Sequence, residues 1–217
     1  MKEKIQVKNS WIALTFLIII FVLYLVVKPH PNKHRAIEGV GQPIQNETTG
    51  STQLKVDDYS VDIKYLYSYE ISALVVSTEK YSSGLPGKLA PRDFALAWGV
   101  VAANNDKINF HWSQSNRWYF WKINSGNDES NLKSIGGMAV VSKNSSNNHL
   151  IPSDDVVKKQ IKRIRAGDYI RLKGYLVNVS AKNSEGRSYT WNSSTTRNDT
   201  GDGSCELIYV TDLEKLD

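Results

Sequence analysis

The strongest pattern in the chain is an apolar run over residues 11–27, which contains no charged residue, proline or glycine. As a helix rising about 1.5 Å per residue, the run reaches about 26 Å of a hydrocarbon core about 30 Å thick. A cleaved signal peptide is the alternative, but the basic, proline-rich segment Lys28–Pro31 stands where a small-residue cleavage site would lie. The run therefore predicts a single transmembrane anchor, preceded by a basic tail over residues 1–10.

The segment after the run is polar and carries several prolines and glycines. Because it buries too little apolar surface to order itself, residues 28–53 are predicted to be a flexible linker. Residues 54–217 then form one soluble domain, which is long enough to have its own hydrophobic core. Cys205 is the single cysteine of the chain, so a disulfide within the chain is excluded.

The domain is rich in period-two alternation with β-branched and aromatic residues, which is typical of half-buried strands. The polar stretch Ser125–Asn131 reads as a loop, and Ser82–Gly87 as a turn. The predicted strands are Val56–Ile63, Tyr69–Tyr81, Lys107–Trp112, Arg117–Ile123, Asp168–Val179, Tyr189–Thr195 and Cys205–Thr211.

Two helices are predicted. Pro91–Gly99 has proline suited to a first turn and glycine just past the end. The second helix begins after Ser153 as N-cap, and places Val157, Ile161 and Ile164 on one face. Acidic residues in its first turn and basic residues toward its end agree with the helix dipole.

The order of strands, helix and strands predicts a mainly β domain of the α+β class. The segment Gly167–Val177 is similar to strands found in OB-type barrels. The predicted fold is a small antiparallel OB-like barrel with one or two short helices, preceded by the transmembrane helix.

The net charge indicates possible partners only when the residues before Ala36 and the remainder of the chain are counted separately. Six of the 27 basic residues and one of the 22 acidic residues precede Ala36, which leaves 21 of each in the remainder. The neutral domain makes nucleic acid an unexpected partner. One basic stripe remains, and it is compatible with a solvated face, a lipid-headgroup contact or a phosphate contact. It consists of Lys158, Lys159, Lys162, Arg163 and Arg165.

Aromatic residues in the predicted hairpin offer a ligand surface. Alternation places Tyr119 and Trp121 on one face of their strand, and Trp112 lies on the partner strand. Together with Arg117, these side chains are the candidate ligand-binding residues, since aromatic rings on barrel strands can stack on a sugar, a base or a peptide. Core packing is the alternative for the same rings.

Catalytic signals are weaker. Asp199 opens an Asp-Thr-Gly sequence, but the polar residues before it argue against an aspartic protease, and a glycine turn explains the stretch better. Cys205 becomes a nucleophile if His111 or His149 approaches it with Asp93 as orienting acid; otherwise it is a small buried hydrophobe. The full set of alternative catalytic candidates is Arg92, Asp93, His149, Asp199, Cys205 and Glu206. The histidines are not clustered, so no metal site and no cofactor are predicted.

Four segments are similar to a family of uncharacterised bacterial exported or membrane-anchored proteins. They are Arg92–Gly99, Ser113–Trp121, Asn148–Pro152 and Thr200–Glu206. The resemblance implies a bacterial envelope setting, and it implies no activity and no catalytic roles.

The sequence therefore predicts an envelope module that is anchored in the lipid bilayer through residues 11–27. The amino terminus is expected inside and the carboxy-terminal domain outside the cytoplasmic membrane, because the basic amino-terminal tail favours the cytoplasm. The module is expected to bind a protein or glycan through its aromatic face. A membrane-tethered hydrolase using His149, Asp199 or Cys205 is the alternative. The third hypothesis, which applies if the domain is cytoplasmic, is a nucleic-acid-binding barrel that uses Lys159 and Arg163. The oligomeric state stays open.

Overall fold

A computed structural model describes Trp11, Leu14, Thr15, Leu17 and residues 34–196 and 204–216. Contacts divide the chain into two units, residues 1–31 and 32–217. The predicted anchor falls almost entirely outside the described residues, although Thr15 donates a hydrogen bond to the Trp11 carbonyl one helical turn earlier, at 2.6 Å. Among the described residues, no helix has the length and apolar character that crossing a bilayer requires.

The second unit is mainly β, as predicted. Its described residues contain ten strands and five helices, where the sequence predicted one or two helices. The strands are β1 Ile44–Glu47, β2 Ser51–Val56, β3 Tyr59–Lys80, β4 Arg92–Ala97, β5 His111–Ser115, β6 Trp118–Lys122, β7 Ser145–Pro152, β8 Tyr169–Asn183, β9 Ser188–Asn192 and β10 Glu206–Leu216. The helices are α1 Gly84–Leu89, α2 Gly99–Ala103, α3 Asn127–Ser134, α4 Met138–Lys143 and α5 Asp155–Arg163.

Five of the strands pair in a cycle, in the order β3, β4, β7, β10, β8 and back to β3. Four of these pairings are antiparallel, and β7 with β10 is parallel. The long strand β3 makes the cycle possible, because Tyr59–Leu74 pairs with β8 and Leu74–Lys80 pairs with β4. Strands β1, β2 and β9 extend the sheet, and β5 and β6 form a separate hairpin.

The main hydrophobic core lies where helix α5 covers one face of this sheet. Phe94 and Leu150 from the sheet pack with Val157 and Ile161 from the helix, and all four are buried. The predicted apolar face of this helix is therefore confirmed. Its N-cap is Asp154, one residue later than predicted, whose Oδ1 accepts from the first-turn backbone N–H groups at 2.8 Å.

The helix predicted over Pro91–Gly99 is wrong, because Arg92–Ala97 forms strand β4. All six residues of that strand are buried between β3 and β7, so tertiary pairing overrides the local proline and glycine signals. The turn predicted over Ser82–Gly87 is largely helix α1, and the loop predicted over Ser125–Asn131 contains the start of helix α3.

The predicted linker is also corrected in its second half, since β1 and the start of β2 lie within residues 28–53. The two strands that were predicted separately over Val56–Ile63 and Tyr69–Tyr81 are mostly one continuous strand, β3. Because this strand presents long rows of backbone N–H and C=O groups, it can pair with polar segments that have little apolar surface of their own.

Candidate functional site

A group of polar side chains lies on the sheet face opposite the main core. Asp93 on β4 pairs directly with His149 on the neighbouring strand β7, and Asn147 lies two residues earlier on the same face as His149. Cys205 immediately precedes β10, whose first residue Glu206 pairs with Asn148. We call Asp93, Arg117, Asn147, His149 and Cys205 the polar cluster.

The Asp93 carboxylate is at the centre of the polar cluster and is fully buried. Its Oδ2 lies 2.9 Å from Nδ1 of His149, and its Oδ1 accepts a hydrogen bond from Nη1 of Arg117. Nδ2 of Asn147 lies 3.4 Å from Oδ2. One carboxylate therefore lies close to three polar side chains that come from two different segments of the chain.

Arg117 reaches Asp93 from the turn of the β5–β6 hairpin. Asn116 and Arg117 have φ angles of 52° and 70°, which fit the two-residue turn that right-twisted strands favour. The Arg117 guanidinium lies 3.7 Å from the ring centroid of Tyr81 and donates to the Pro86 carbonyl at 3.0 Å. A bulky residue in the left-handed region is strained, so these contacts hold Arg117 in an unfavourable backbone conformation.

Tyr81 fixes the same turn from the other side. Its phenol oxygen accepts a hydrogen bond from the backbone N–H of Arg117 at 2.9 Å. Burial raises the pKa of the Tyr81 phenol above its usual value, and the nearby Asp93 charge acts in the same direction. The phenol therefore stays neutral well above physiological pH.

Cys205 is half-buried at the edge of the polar cluster. Its Sγ lies 3.8 Å from the Arg117 carbonyl oxygen and 3.9 Å from Nδ2 of Asn147. The same Nδ2 donates to the Arg117 carbonyl at 2.8 Å, so Asn147 connects the thiol with the Asp93 carboxylate. The Trp191 ring lies 4.8 Å from the His149 ring and 5.3 Å from the Arg117 guanidinium, and it covers both.

Three of the six alternative catalytic candidates meet here: Asp93, His149 and Cys205. Arg92 points to the opposite face, where its guanidinium donates to the Lys162 carbonyl and to Thr78 Oγ1, both at 2.9 Å. Glu206 is fully buried at the start of β10. Asp199 lies outside the described residues.

The four candidate ligand-binding residues do not share one surface. Trp112, Tyr119 and Trp121 are half-buried against a hydrophobic cluster that includes Phe110, whereas Arg117 contacts Asp93. The exposed aromatic face of this hairpin is the other one, with Trp118 at 38% and Phe120 at 52% exposure.

Sequence reasoning missed Asn147, Tyr81 and Trp191 as parts of the site. Asn147 precedes His149 by two residues, and residues with this spacing share one face of a strand. That signal needed strand β7, which the sequence analysis did not predict. In the described part of the chain, no group of three or more His, Cys, Asp or Glu side chains is arranged to hold a metal ion.

Comparison of the chain with protein-family models, with curated proteins and with solved structures gives no significant match. The geometry of the polar cluster is therefore the basis for any functional assignment. The similarity of the four segments to exported and membrane-anchored bacterial proteins stays a prediction.

Proposed function

We propose that the domain is a thiol-dependent hydrolase of acyl bonds and that the polar cluster is its active site. One observation carries the proposal. A buried carboxylate, Asp93, lies 2.9 Å from Nδ1 of His149, and both side chains lie on the sheet face that Cys205 borders. Nucleophile, base and orienting acid are the three groups that acyl transfer by a thiol needs.

The proposed chemistry follows from the two ring nitrogens of His149. Because Nδ1 lies 2.9 Å from Oδ2 of Asp93, we assign Nε2 as the atom that takes the proton of the Cys205 thiol. The thiolate adds to the substrate carbonyl carbon, and the leaving group departs with the proton from His149. A water molecule, deprotonated by the same Nε2, then hydrolyses the acyl thioester and restores the thiol. Nδ2 of Asn147 lies 3.9 Å from Sγ, and it can donate to the developing oxyanion if it gives up its long contact with Oδ2 of Asp93.

The location of the cluster supports a ligand site. We assign the five-strand cycle to an OB-like barrel, in which ligands bind across the second and third strands and beside the loops after the first and fourth strands. In this chain those strands are β4 and β7, which carry Asp93 and His149. The corresponding loops carry Tyr81 and Trp191, the two rings that contact Arg117.

A purely structural role is the competing interpretation. Buried ion pairs contribute little net stability relative to apolar packing, so stability is a weak reason for the Asp93–Arg117 pair. The positive φ of Arg117 adds a further cost. The two costly features are the buried ion pair and the strained backbone of Arg117. Both are explained if the active site needs a guanidinium in a fixed position close to a half-exposed thiol.

Cys205 allows a direct test, because it is the single thiol of the chain. We expect the full-length protein to hydrolyse p-nitrophenyl acetate and to form an acyl adduct on Cys205, detected by mass spectrometry. Cys205→Ser and His149→Ala should each lower the rate by about 100-fold or more. His111→Ala is the matched control and should keep the rate, since His111 is exposed on β5. A Cys205→Ser protein that is folded and as active as the wild type would contradict the proposal.

Iodoacetamide gives a second readout that needs no substrate. Alkylation of Cys205 should follow the ionisation of the thiol, and His149→Ala should slow it at neutral pH by about tenfold. His111→Ala should leave the alkylation rate unchanged. Equal rates in the wild type and His149→Ala would show that the imidazole does not activate the thiol.

A bacterial envelope setting is part of the proposal, with residues 11–27 as the bilayer anchor and the domain outside the cytoplasm. A reporter that is active in only one compartment, fused after Asp217, tests it. Activity of an extracytoplasmic reporter is the expected result. Activity of a cytoplasmic reporter would contradict this setting and would direct the substrate search to cytoplasmic acyl compounds.

A second candidate function is binding of a protein or glycan through the outer face of the β5–β6 hairpin. The observation that favours it is the exposure of Trp118 and Phe120, which are more than a third exposed on adjacent positions of one strand face. Sedimentation with purified cell-wall sacculi tests this candidate. The double variant Trp118→Ala/Phe120→Ala should lose co-sedimentation, whereas Val156→Ala, which also removes an exposed apolar group, should not.

A further inference from the structure

A cavity of about 470 Å³ lies between helix α5 and the adjoining ends of β3 and β4. Its volume is in the range that holds a small organic ligand. The lining combines apolar groups of Pro91, Pro152 and Ile161 with a set of cationic side chains. The cationic side chains are Lys80, Arg92, Lys158 and Lys162. We call this space the basic cavity.

The basic cavity has no acidic partner for its cations. Within residues 34–196 and 204–216, no carboxylate lies in ion-pair distance of any of the four. The acidic group that acts on Arg92 from farther away is Glu79, and it is opposed by the positive charge of Arg165. The local field is therefore positive, and it favours a ligand of negative charge.

Arg92 is the most buried of the four cations, and its relative exposure is 7%. Two of its five N–H groups are used, one on the Lys162 carbonyl and one on Thr78 Oγ1, and its buried Nε has no hydrogen-bond partner. A buried cation without a counter-ion is costly. Burial accordingly lowers the pKa of Arg92. An anion in the basic cavity would compensate this charge.

We infer that the basic cavity binds a phosphate group carried on an apolar body. Four cationic side chains around one space favour an anionic group with several acceptor oxygens, and Arg and Lys are the usual partners of phosphate. The prolines and Ile161 accommodate the apolar part of the ligand. The phosphate can belong to a soluble ester or to the headgroup of an anionic phospholipid. The inference does not depend on the thiol of Cys205, which lies in the polar cluster.

The basic cavity adjoins the polar cluster through one residue. Tyr81 lines the cavity, and it also contacts Arg117 through its ring and its phenol oxygen. A ligand in the cavity therefore contacts a residue that positions the Asp93–Arg117 pair.

Helix α5 offers a matched pair of variants for the test. Lys158 and Lys162 line the basic cavity, whereas Lys159 and Arg163 are exposed on the same helix and do not line it. Lys158→Gln/Lys162→Gln and Lys159→Gln/Arg163→Gln thus remove the same formal charge from the same element. Arg92 is left unchanged, because removing a buried side chain can prevent folding.

Binding is measured by calorimetry on the full-length protein in detergent, with phenyl phosphate and with the short-chain lipid dihexanoyl-phosphatidylglycerol as probes and dihexanoyl-phosphatidylcholine as the neutral reference. We expect Lys158→Gln/Lys162→Gln to weaken binding at least tenfold and Lys159→Gln/Arg163→Gln to change it less than threefold. Binding of phenyl phosphate with this pattern supports the inference with a soluble ester as ligand. Binding of dihexanoyl-phosphatidylglycerol alone, with the same pattern, supports it with a lipid headgroup as ligand. Absence of binding to both probes, or equal losses in the two double variants, would overturn the inference.

These outcomes are separable from those of the hydrolase proposal. Cys205→Ser should bind phenyl phosphate as the wild type does, even though it is expected to lose esterase activity. If Cys205→Ser keeps both activity and binding, the hydrolase proposal fails and the basic cavity stands. If both Gln double variants bind phenyl phosphate equally while Cys205→Ser is inactive, the basic cavity fails and the hydrolase proposal stands.

Discussion

Nδ1 of His149 lies 2.9 Å from Oδ2 of Asp93, across a directly paired position of strands β4 and β7. The other oxygen of the same carboxylate accepts from Arg117, which arrives from a hairpin that is not part of the main sheet. Asp93, which is itself fully buried, thus joins the main sheet to the hairpin. The imidazole and the hairpin turn therefore approach the same carboxylate from two sides.

Asp93→Asn tests the strength of this connection. The substitution keeps the shape of the side chain but leaves the mostly buried Arg117 guanidinium without its carboxylate, so we expect the free energy of unfolding to fall by about 3 kcal/mol. Urea unfolding followed by circular dichroism measures the change. Asp62→Asn is the control, because its carboxylate makes an exposed hydrogen bond with Gln53 at 2.6 Å and should cost less than about 1 kcal/mol. Similar losses in the two variants would show that the Asp93 network contributes no more than a surface contact.

Arg117 allows backbone strain to be separated from side-chain contacts. Arg117→Ala and Arg117→Gly both remove the guanidinium, but only glycine adopts the observed φ of 70° without a steric penalty. We therefore expect Arg117→Gly to be more stable than Arg117→Ala by about 1 kcal/mol in urea unfolding. Both variants should lose the proposed esterase activity, since neither can hold Asp93. Equal stability of the two variants would mean that the turn relaxes when the side chain is removed.

The sequence predicted the parts of the fold that local pattern controls. Helix α5 is the clearest example, because its cap, its dipole and its apolar face all agree within nine residues. Strand β4 is the opposite case. Its residues are buried on both faces, so the alternation that identifies a strand is missing, and the flanking proline and glycine then favoured a helix.

The sequence predicted several residues of the candidate site but not that they lie close together. Asp93, His149 and Cys205 were named from the chemistry of their side chains, but nothing local brings together positions separated by more than 50 residues. The sheet brings them together, because β7 lies between β4 and β10. Arg117 was expected beside the hairpin aromatics, and the left-handed turn instead directs it to Asp93.

The raised pKa of Tyr65 allows us to predict how the free energy of unfolding depends on pH. Burial raises the pKa of Tyr65 above its ordinary value of 10.0, and the neighbouring phenol of Tyr209 adds to the shift. The folded state keeps the phenol proton at pH values at which the unfolded state releases it. The contribution of Tyr65 to the free energy of unfolding is therefore fully present below pH 10 and is lost as pH rises through the folded-state pKa. Tyr65→Phe should therefore make the loss of stability between pH 9 and pH 11 shallower than in the wild type. Parallel curves for the two proteins, measured by urea unfolding across that range, would contradict this assignment.

Gly174 lies very close to the backbone of the neighbouring strand β10, so we expect its substitution to be strongly destabilising. A Cβ atom at this position would lie 2.1 Å from the Tyr209 carbonyl oxygen, next to the register shift between β10 and β8. The obstacle is backbone held by strand pairing, which cannot rotate away as a side chain can, so Gly174→Ala should lower the free energy of unfolding by about 3 kcal/mol. Gly41→Ala is the matched control, because its Cβ would meet no atom within 4 Å and its backbone is not left-handed. Thermal unfolding of the two variants compares the positions. A Gly174→Ala protein as stable as Gly41→Ala would show that strands β8 and β10 can separate locally without weakening the strand cycle that supports Asp93 and His149.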